Sequence, residues 1–241
     1  MRIDIVTLFP EYFEEPLSYS LLKRAQAEGK VRVCVHNPRK FTQDVHRTVD
    51  EKPFGGGAGM VLKPEPLFDC IESLPGKGWV ILLTPRGKHL TQERANRLAK
   101  KKHLVLIAGH YEGVDERVSE HLADEEISIG DFVTLGGEAP ALCLIESVVR
   151  LIPGVLGNPD SLKEESFSGH RNGISGKKLE FPQYTRPRAF RGWKVPPVLL
   201  SGNHQAIEVW RKKESLAVTR RNRPDLLGHV SKSKQGRSKK K

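Results

Sequence analysis

The sequence predicts an α/β protein in which a mainly parallel sheet is covered by helices. Three observations support this fold class: short apolar runs rich in β-branched residues, helical periodicity between those runs, and turn residues at the junctions. The chain has 241 residues, which is enough to bury a substantial core. Strands that alternate with helices are typical of a parallel sheet, because each parallel connection needs a crossover.

The predicted elements follow one another along the first 152 residues. The first strand is IDIVTLF at 3–9, after which Pro10 starts a helical pattern that runs to Glu28 and ends at Gly29. The later predicted elements are a strand at 31–36, a helix at 64–74, a strand at 79–84, a helix at 91–101, a strand at 103–109 and a helix whose core is 145–152. The strands are continuous apolar runs, so both faces of the sheet should be covered.

The composition changes near Pro153. Residues 154–178 are rich in Gly, Ser, Asn and Lys with little periodicity, and they are too long for an ordinary tight connection. Residues 203–220 place apolar side chains among basic ones, which indicates an amphipathic helix in a small second domain. The predicted organisation is a domain at 1–156, a flexible linker at 157–182, a helical domain at 183–230 and a basic disordered tail at 231–241.

The formal net charge of +11 is concentrated in the C-terminal quarter of the chain. Residues 186–223 contain ten lysine and arginine residues, and residues 232–241 contain six more. Such a surface attracts a polyanion, because each neutralised phosphate releases condensed counterions. For the last ten residues, a tail that serves only solubility is the alternative.

Membrane proteins and disulfide-rich or zinc-binding proteins do not fit this composition. No apolar run reaches the roughly 18–20 residues needed to span a bilayer, and MRIDIVTLF lacks the layout of a signal peptide, so we expect a cytoplasmic protein with no membrane partner. The cysteines Cys34, Cys70 and Cys143 are scattered, without a CxxC pair or a neighbouring histidine cluster. Neither disulfides nor a zinc site is predicted, and we expect the cysteines to be reduced and mostly buried.

Glycine-rich loops are the candidate binding elements. Residues 46–60, HRTVDEKPFGGGAGM, place four glycines in five positions, and glycine lets a backbone approach a ligand closely. No Gly-Lys-Ser or Gly-Lys-Thr follows, so this segment is not a Walker loop, and a flexible surface turn is its other interpretation.

A second glycine set follows three strands. It comprises Pro85 and Gly87, then AGHYEGVDER at 108–117, then SIGDFVTLGGEAPA at 128–141. Open parallel sheets bind ligands at the carboxyl ends of their strands, so these loops should form one pocket. None matches the dinucleotide pattern GxGxxG, and the pocket would hold a cofactor mainly through backbone groups.

Seven segments of the chain occur in a distinctive order. They are LFPEYF, HRTVDEKPFGGGAGM, HYEGVDERV, SIGDFVTLGGEAPA, RLIPGVLGN, PQYTRP and PPVLLSGNH, and they all lie between residue 8 and about residue 221. In this order they resemble the bacterial tRNA (guanine-37 N1)-methyltransferases of the trefoil-knot, or SPOUT, class. The resemblance implies a knotted α/β domain and an obligate homodimer with active sites at the subunit interface. Composition and periodicity alone predict an unknotted doubly wound sheet, because threaded chains are very rare.

The resemblance also implies that S-adenosylmethionine, the methyl donor, binds among the glycine loops. The cofactor-binding residues that it assigns are Leu82, Pro85, Gly109, Tyr111, Glu112, Ile129, Gly130, Asp131, Phe132, Val133, Thr134, Gly136, Gly137 and Pro140. For any single glycine of this set, a plain turn is the alternative. The family is associated with Mg²⁺, but no ligand cluster in the sequence identifies a metal site.

Methyl transfer to N1 of guanine requires a base, because the protonated N1 has no free in-plane lone pair. The resemblance assigns this role to the acid of an acidic-Ser-Phe motif, which reads ESF at 165–167 and gives Glu165. It also assigns Arg150 to guanine O6, where a fixed fork of donors suits an oxygen that gains charge. Glu180 is a rival base in the same linker.

The tRNA anticodon stem-loop is the implied partner, since a target base leaves its stack most easily in a loop. The substrate-binding residues assigned by resemblance are Asp50, Gly55, Gly59, Arg186, Ser201, Asn203 and His204. Arg188 and Arg211 belong to the same predicted anticodon-stem surface of the C-terminal domain. Residues 168–178 are longer than the family's usual connection, and we predict that they contact tRNA phosphates. Two alternatives remain: a non-catalytic RNA-binding protein of the same fold, and a knotted methyltransferase that acts at another RNA position.

Overall fold

The computed structural model describes residues 1–158, 161–168 and 178–227, with only the backbone described at 163 and 164. The chain divides into two compact units, Met1–Gly157 and Asn158–Lys241. The central part of the predicted insertion, 169–177, and the predicted tail at 231–241 lie outside the described residues. Among those described, no helix is both long enough and apolar enough to cross a membrane.

The first unit is built around a parallel sheet. Its strands are β1 (Arg2–Val6), β2 (Arg32–His36), β3 (Asp50–Glu51), β4 (Val61–Leu62), β5 (Trp79–His89), β6 (His103–Ala108) and β7 (Glu125–Ser128). Five of them form one sheet in the order β2-β1-β6-β5-β7, and every neighbouring pair is parallel. Strands β3 and β4 form a separate antiparallel pair. The predicted α/β class with a mainly parallel sheet is therefore confirmed.

Helices cover both faces of this sheet. They are α1 (Ser20–Ala27), α2 (Pro64–Glu72), α3 (Gln92–Leu98), α4 (Glu116–His121) and α5 (Glu138–Val149). Side chains of α1, α3 and α5 pack with Ile3 and Ile5 in one buried cluster. Side chains of α2 and α4 pack with Val6 and Ile107 in a second cluster. The strands are apolar on both faces because each face has its own core.

Several predicted element boundaries differ from the structure. The single helix predicted from Pro10 to Glu28 is wrong: two 3-10 turns, Pro10–Phe13 and Pro16–Ser18, precede α1. Pro16 has no backbone N–H and its ring clashes with the preceding turn, so a continuous helix cannot pass through it. The segment 145–152, predicted as the core of a helix, instead contains the end of α5, which spans Glu138–Val149.

In its described residues, the second unit contains short strands and one long helix. Its elements are α6 (Ser161–Glu164), β8 (Ala189–Phe190), β9 (Trp193–Lys194) and α7 (His204–Asn222). The helix predicted at 203–220 thus corresponds to α7. Thr219 is fully buried, and its hydroxyl accepts the N–H of Leu179 at 2.9 Å. The Ser215 hydroxyl donates to the carbonyl of Leu179 at 2.6 Å, so both backbone groups of Leu179 are bonded to this helix.

Candidate active site

A cavity of about 370 Å³ lies at the carboxyl ends of β6 and β7, beside the irregular part of β5 between Leu83 and Lys88. The segment around Pro85, which was predicted as a loop after a strand, is thus part of β5. It is lined by residues of three segments: 82–86, 109–116 and 127–140. Its volume falls in the range of about 300–1,000 Å³ that is usual for small-molecule sites. The three glycine-bearing loops predicted to meet at this edge of the sheet therefore line one cavity.

Most of the residues assigned to the cofactor site are brought together in this wall. The residues that line the cavity are Leu82, Pro85, Gly109, Tyr111, Glu112, Ile129, Phe132, Val133, Thr134, Gly136, Gly137 and Pro140. Gly130 and Asp131 are not among them. A β carbon on Gly130 would lie 2.5 Å from the Phe132 ring, so this glycine makes room for that side chain. The Asp131 carboxylate is 88% exposed and lies 2.7 Å from Nε2 of His89.

The wall also contains an ion pair that sequence reasoning missed. The Arg86 guanidinium donates to the Glu116 carboxylate at 2.7 Å and to that of Glu126 at 3.3 Å. Arg86 and Glu116 line the cavity themselves. They lie in two of the glycine-bearing loops, so the proximity of those loops was the signal that could have identified them.

Gly137 fixes how closely two walls of the cavity approach each other. Its N–H donates to the carbonyl of Gly109 at 2.7 Å, which joins the start of α5 to the end of β6. A β carbon at Gly137 would lie 2.6 Å from the Cα of Ala108, well inside normal carbon–carbon contact. A φ of −80° suits any residue, so the backbone conformation does not require glycine here. The close backbone packing does.

The buried carboxylate of Glu138 contacts residues next to the cavity wall. Glu138 is 4% exposed in the first turn of α5, where the positive end of the helix dipole favours a negative charge. The Thr7 hydroxyl donates to its Oε1 at 2.7 Å, and Nδ1 of His110 lies 3.6 Å from its Oε2. His110 also lines the cavity, and its ring lies 4.7 Å from that of Phe9, measured between centroids. These contacts hold the His110 loop against β1.

The glycine-rich loop at 46–60 packs against the same wall. The N–H of Glu112 donates to the carbonyl of Met60 at 3.0 Å, and that of Leu62 donates to the carbonyl of Gly113 at 2.9 Å. Gly59 has a φ of +82°, and a side chain there would overlap the side chain of Glu112. Of the other predicted substrate residues in this loop, Asp50 lies half-buried in β3 and Gly55 lies in open space at φ +86°.

The predicted base lies in the second unit, on a backbone held by hydrogen bonds. Next to Glu165, the N–H of Phe167 donates to the carbonyl of Lys178 at 2.8 Å. The Ser166 hydroxyl accepts the N–H of Glu180 at 3.0 Å, so the segments that carry the two candidate acids are joined. The Glu180 carboxylate accepts a hydrogen bond from Nε2 of Gln183 at 2.6 Å.

Arg150 belongs to the first unit, where it directly follows the last residue of α5. Its backbone N–H donates to the carbonyl of Glu146 at 3.4 Å, and its side chain is half-buried. The two residues assigned to catalysis therefore come from different units of the chain, Arg150 from the first and Glu165 from the second.

Two of the residues assigned to tRNA in the C-terminal region stabilise the start of α7. Asn203 caps this helix, and its side chain accepts the N–H of Ala206 at 3.0 Å. The Ser201 hydroxyl accepts the N–H of Asn203 at 3.1 Å. His204 is exposed in the first turn of the helix, and Arg186 is exposed before the β8–β9 hairpin. Ser201 and Asn203 thus shape this surface in addition to any contact with RNA.

The expectation that the cysteines are mostly buried is wrong: Cys70 is buried, Cys34 is partly buried and Cys143 is exposed. Cys143 lies on α5, and the sequence pattern did not distinguish the exposed face of this helix from its buried face.

Within residues 1–158, 161–168 and 178–227, no group of three or more His, Cys, Asp or Glu side chains could hold a metal ion.

Comparison with known proteins identifies relatives over nearly the whole chain. Residues 1–229 match the family model described as tRNA (Guanine-1)-methyltransferase TrmD. A protein of Gloeobacter violaceus is 58% identical over 230 residues, which cover 94% of this chain and 98% of the relative. Proteins of Dictyoglomus turgidum and Geobacillus kaustophilus are 56% and 55% identical, and the matched segments cover 91% of each relative. All three relatives are named tRNA (guanine-N(1)-)-methyltransferase.

Proposed function

Because the chain belongs to the TrmD family of tRNA (guanine-1)-methyltransferases, we propose that it methylates N1 of guanine 37, beside the anticodon, with S-adenosylmethionine as the donor. Methylation of guanine N1 in tRNA is the activity that the relatives' names give. The observation that carries the proposal for this chain is the glycine-lined cavity at the ends of β6 and β7, beside the irregular part of β5. The alternative, a non-catalytic RNA-binding protein of the same fold, is not favoured, because the relatives are named as methyltransferases.

The cavity suits a donor held largely by backbone groups. Gly109, Gly136 and Gly137 leave main-chain atoms accessible in its wall, and Leu82 and Pro140 supply apolar contacts. When bound, S-adenosylmethionine supplies an activated methyl group on a sulfonium centre. The residues of the chain then contribute positioning, proton removal and stabilisation of charge.

Glu165 is the proposed base. Its carboxylate accepts the N1 proton of guanine, which frees the in-plane lone pair for methyl transfer. Negative charge then builds on O6, and the Arg150 guanidinium donates hydrogen bonds to that oxygen. The fixed backbone around Ser166 supports this assignment, because a base must be held within hydrogen-bond reach of the proton that it removes.

A pair of matched variants tests the role of Glu165. Glu165→Gln should abolish transfer of labelled methyl groups to tRNA, since an amide cannot accept the proton, and it should leave donor binding unchanged. Glu180→Gln makes the same chemical change in the rival acid and should keep most of the activity. Activity that survives in Glu165→Gln and disappears in Glu180→Gln would reverse the assignment.

We also propose a cytoplasmic homodimer whose active sites lie at the subunit interface. Apolar side chains at the cavity are unusually exposed: Phe132 is 57% exposed and Leu135 is 95% exposed. A second copy of the chain would cover them and contribute its own residues to the site. Light scattering during size-exclusion chromatography should give twice the chain mass of 27.0 kDa. A Leu135→Asp variant should elute as a monomer without activity, and an active monomer would exclude a shared site.

Mg²⁺ dependence of methyl transfer is a further proposal. Chelation with EDTA should abolish the activity, and added Mg²⁺ should restore it.

A further inference from the structure

The hairpin formed by β8 and β9 carries two exposed aromatic rings at its tip. Phe190 and Trp193 face each other across the two strands, with ring centroids 6.2 Å apart and ring planes at 49°. Phe190 is 56% exposed and Trp193 is 70% exposed. Large aromatic side chains are seldom left together in water, so this pair indicates a binding surface.

The turn of the hairpin presents these rings on a fixed frame. Its two central residues, Arg191 and Gly192, have positive φ angles of 52° and 86°. Two-residue turns of this kind match the natural twist of the flanking strands. The N–H of Val195 also donates to the carbonyl of Arg188 at 3.0 Å, which continues the strand pairing by one step. We call residues 188–195 the aromatic hairpin.

Cations surround the aromatic pair. Arg188 lies on the same face as Phe190, because alternate residues of a strand share a face. The Arg191 guanidinium carbon lies 5.2 Å from the centroid of the Phe190 ring. The sequence contains no Asp or Glu between Glu180 and Glu208. Within the described residues, no carboxylate lies within ion-pair distance of any cation of the aromatic hairpin.

We propose that the aromatic hairpin is a stacking platform for an unpaired base of the tRNA substrate, with its arginines on the adjacent phosphates. Exposed rings with neighbouring cations are the combination that binds single-stranded nucleic acid, since every base has a face for stacking and every linkage has a charge. Bases in a duplex have their faces covered, so the ligand must come from a loop or another unpaired segment. The inference rests on tRNA being the substrate, and it adds a contact site outside the cofactor cavity.

Substitution at Trp193 measures the stacking directly. Trp193→Ala should weaken binding of a tRNA transcript by about 5- to 150-fold, the usual effect of removing one base-stacking ring. Trp193→Phe keeps a flat ring and should retain most of the affinity. Val209→Ala is the matched control, because Val209 is an exposed apolar residue of α7 in the same unit. An affinity within twofold of the unsubstituted protein in Trp193→Ala would overturn the proposal.

Two further measurements separate base stacking from other roles of the hairpin. Trp193→Ala should weaken binding of an anticodon stem-loop and leave binding of a fully paired RNA of equal length unchanged. It should not alter the salt dependence of the affinity. Arg188→Ala should instead reduce the slope of log affinity against log salt by about one. An equal loss of affinity for both RNAs would show that the rings contact the RNA backbone. A change in the molecular mass of Trp193→Ala in solution would show that they contact another subunit. Either result would refute the stacking platform.

Failure of this inference is distinguishable from failure of the proposed function. With saturating tRNA, Trp193→Ala should transfer methyl groups at the rate of the unsubstituted protein, and only its KM for tRNA should rise. If the unsubstituted protein methylates tRNA and Trp193→Ala has an unchanged KM, the hairpin proposal alone is wrong. If the unsubstituted protein methylates no tRNA, the proposed function fails first.

Discussion

Replacing Gly137 with alanine should damage the cofactor cavity in a way that the structure quantifies. The new β carbon would lie 2.6 Å from the Cα of Ala108, whereas carbon atoms pack best at about 3.5–4.0 Å. The start of α5 must therefore move by about 1 Å. Overpacking of this kind typically costs about 1–3 kcal/mol. A chain of this size loses about 2–4 °C in Tm per kcal/mol, so we expect Tm to fall by about 2–12 °C.

The same displacement should weaken donor binding. It stretches the 2.7 Å hydrogen bond from Gly137 to Gly109, and both of these residues line the cavity. A loss of about 1.4 kcal/mol would reduce the affinity for S-adenosylmethionine tenfold, which titration calorimetry can measure. Gly157→Ala is the matched control, since a β carbon there meets no atom within 4 Å. If Gly137→Ala binds the donor and melts like that control, close packing at this position does not shape the cavity.

Two other predictions concern buried ionisable groups. Burial alone would raise the pKa of Asp4, but hydrogen bonds from His36, Arg2 and His103 together hold it well below its usual range. The stabilisation from this carboxylate is therefore complete above the unfolded pKa of about 3.9 and declines as the pH falls below it. Unfolding by urea should show this decline, and Asp4→Ala should cost about 3–5 kcal/mol at pH 7 and flatten it; an unchanged pH profile would contradict the role of Asp4. Burial also raises the pKa of the Cys70 thiol to about 12, so a thiol reagent at pH 8 should label this residue only after unfolding, and rapid labelling of the native protein would contradict the packing of α2.

The strands of the first unit were predictable because their apolar runs are both short and continuous. The end of β5 was not, since the strand continues through Pro85 and Gly87 to His89 with an irregularity between Leu83 and Lys88. A β carbon on Gly87 would lie 2.5 Å from the backbone N of Ile127, so close approach to β7 explains this glycine. Such an approach depends on a residue 40 positions away, which no local pattern reveals.

The candidate site was predictable in outline, because the predicted strands also fix where the loops that follow them lie. Glycine loops after parallel strands lie at one edge of the sheet, and the loops after β6 and β7 do so, whereas the segment around Pro85 belongs to β5. The support from Thr7 to Glu138 could not be predicted, because it joins residues 131 positions apart through a buried hydrogen bond. The roles of Glu165 and Arg150, and the threading of the chain, remain predictions from the resemblance. Periodicity carries no information about any of them.

The most direct test of the account is where the methyl group goes. Purified protein is incubated with labelled S-adenosylmethionine and two tRNA transcripts that differ only in G or A at position 37, and primer extension then locates the modified base. We predict label in the G transcript alone, with a stop opposite guanine 37, because N1 methylation blocks base pairing. Equal labelling of both transcripts, or a stop elsewhere, would contradict the proposed target.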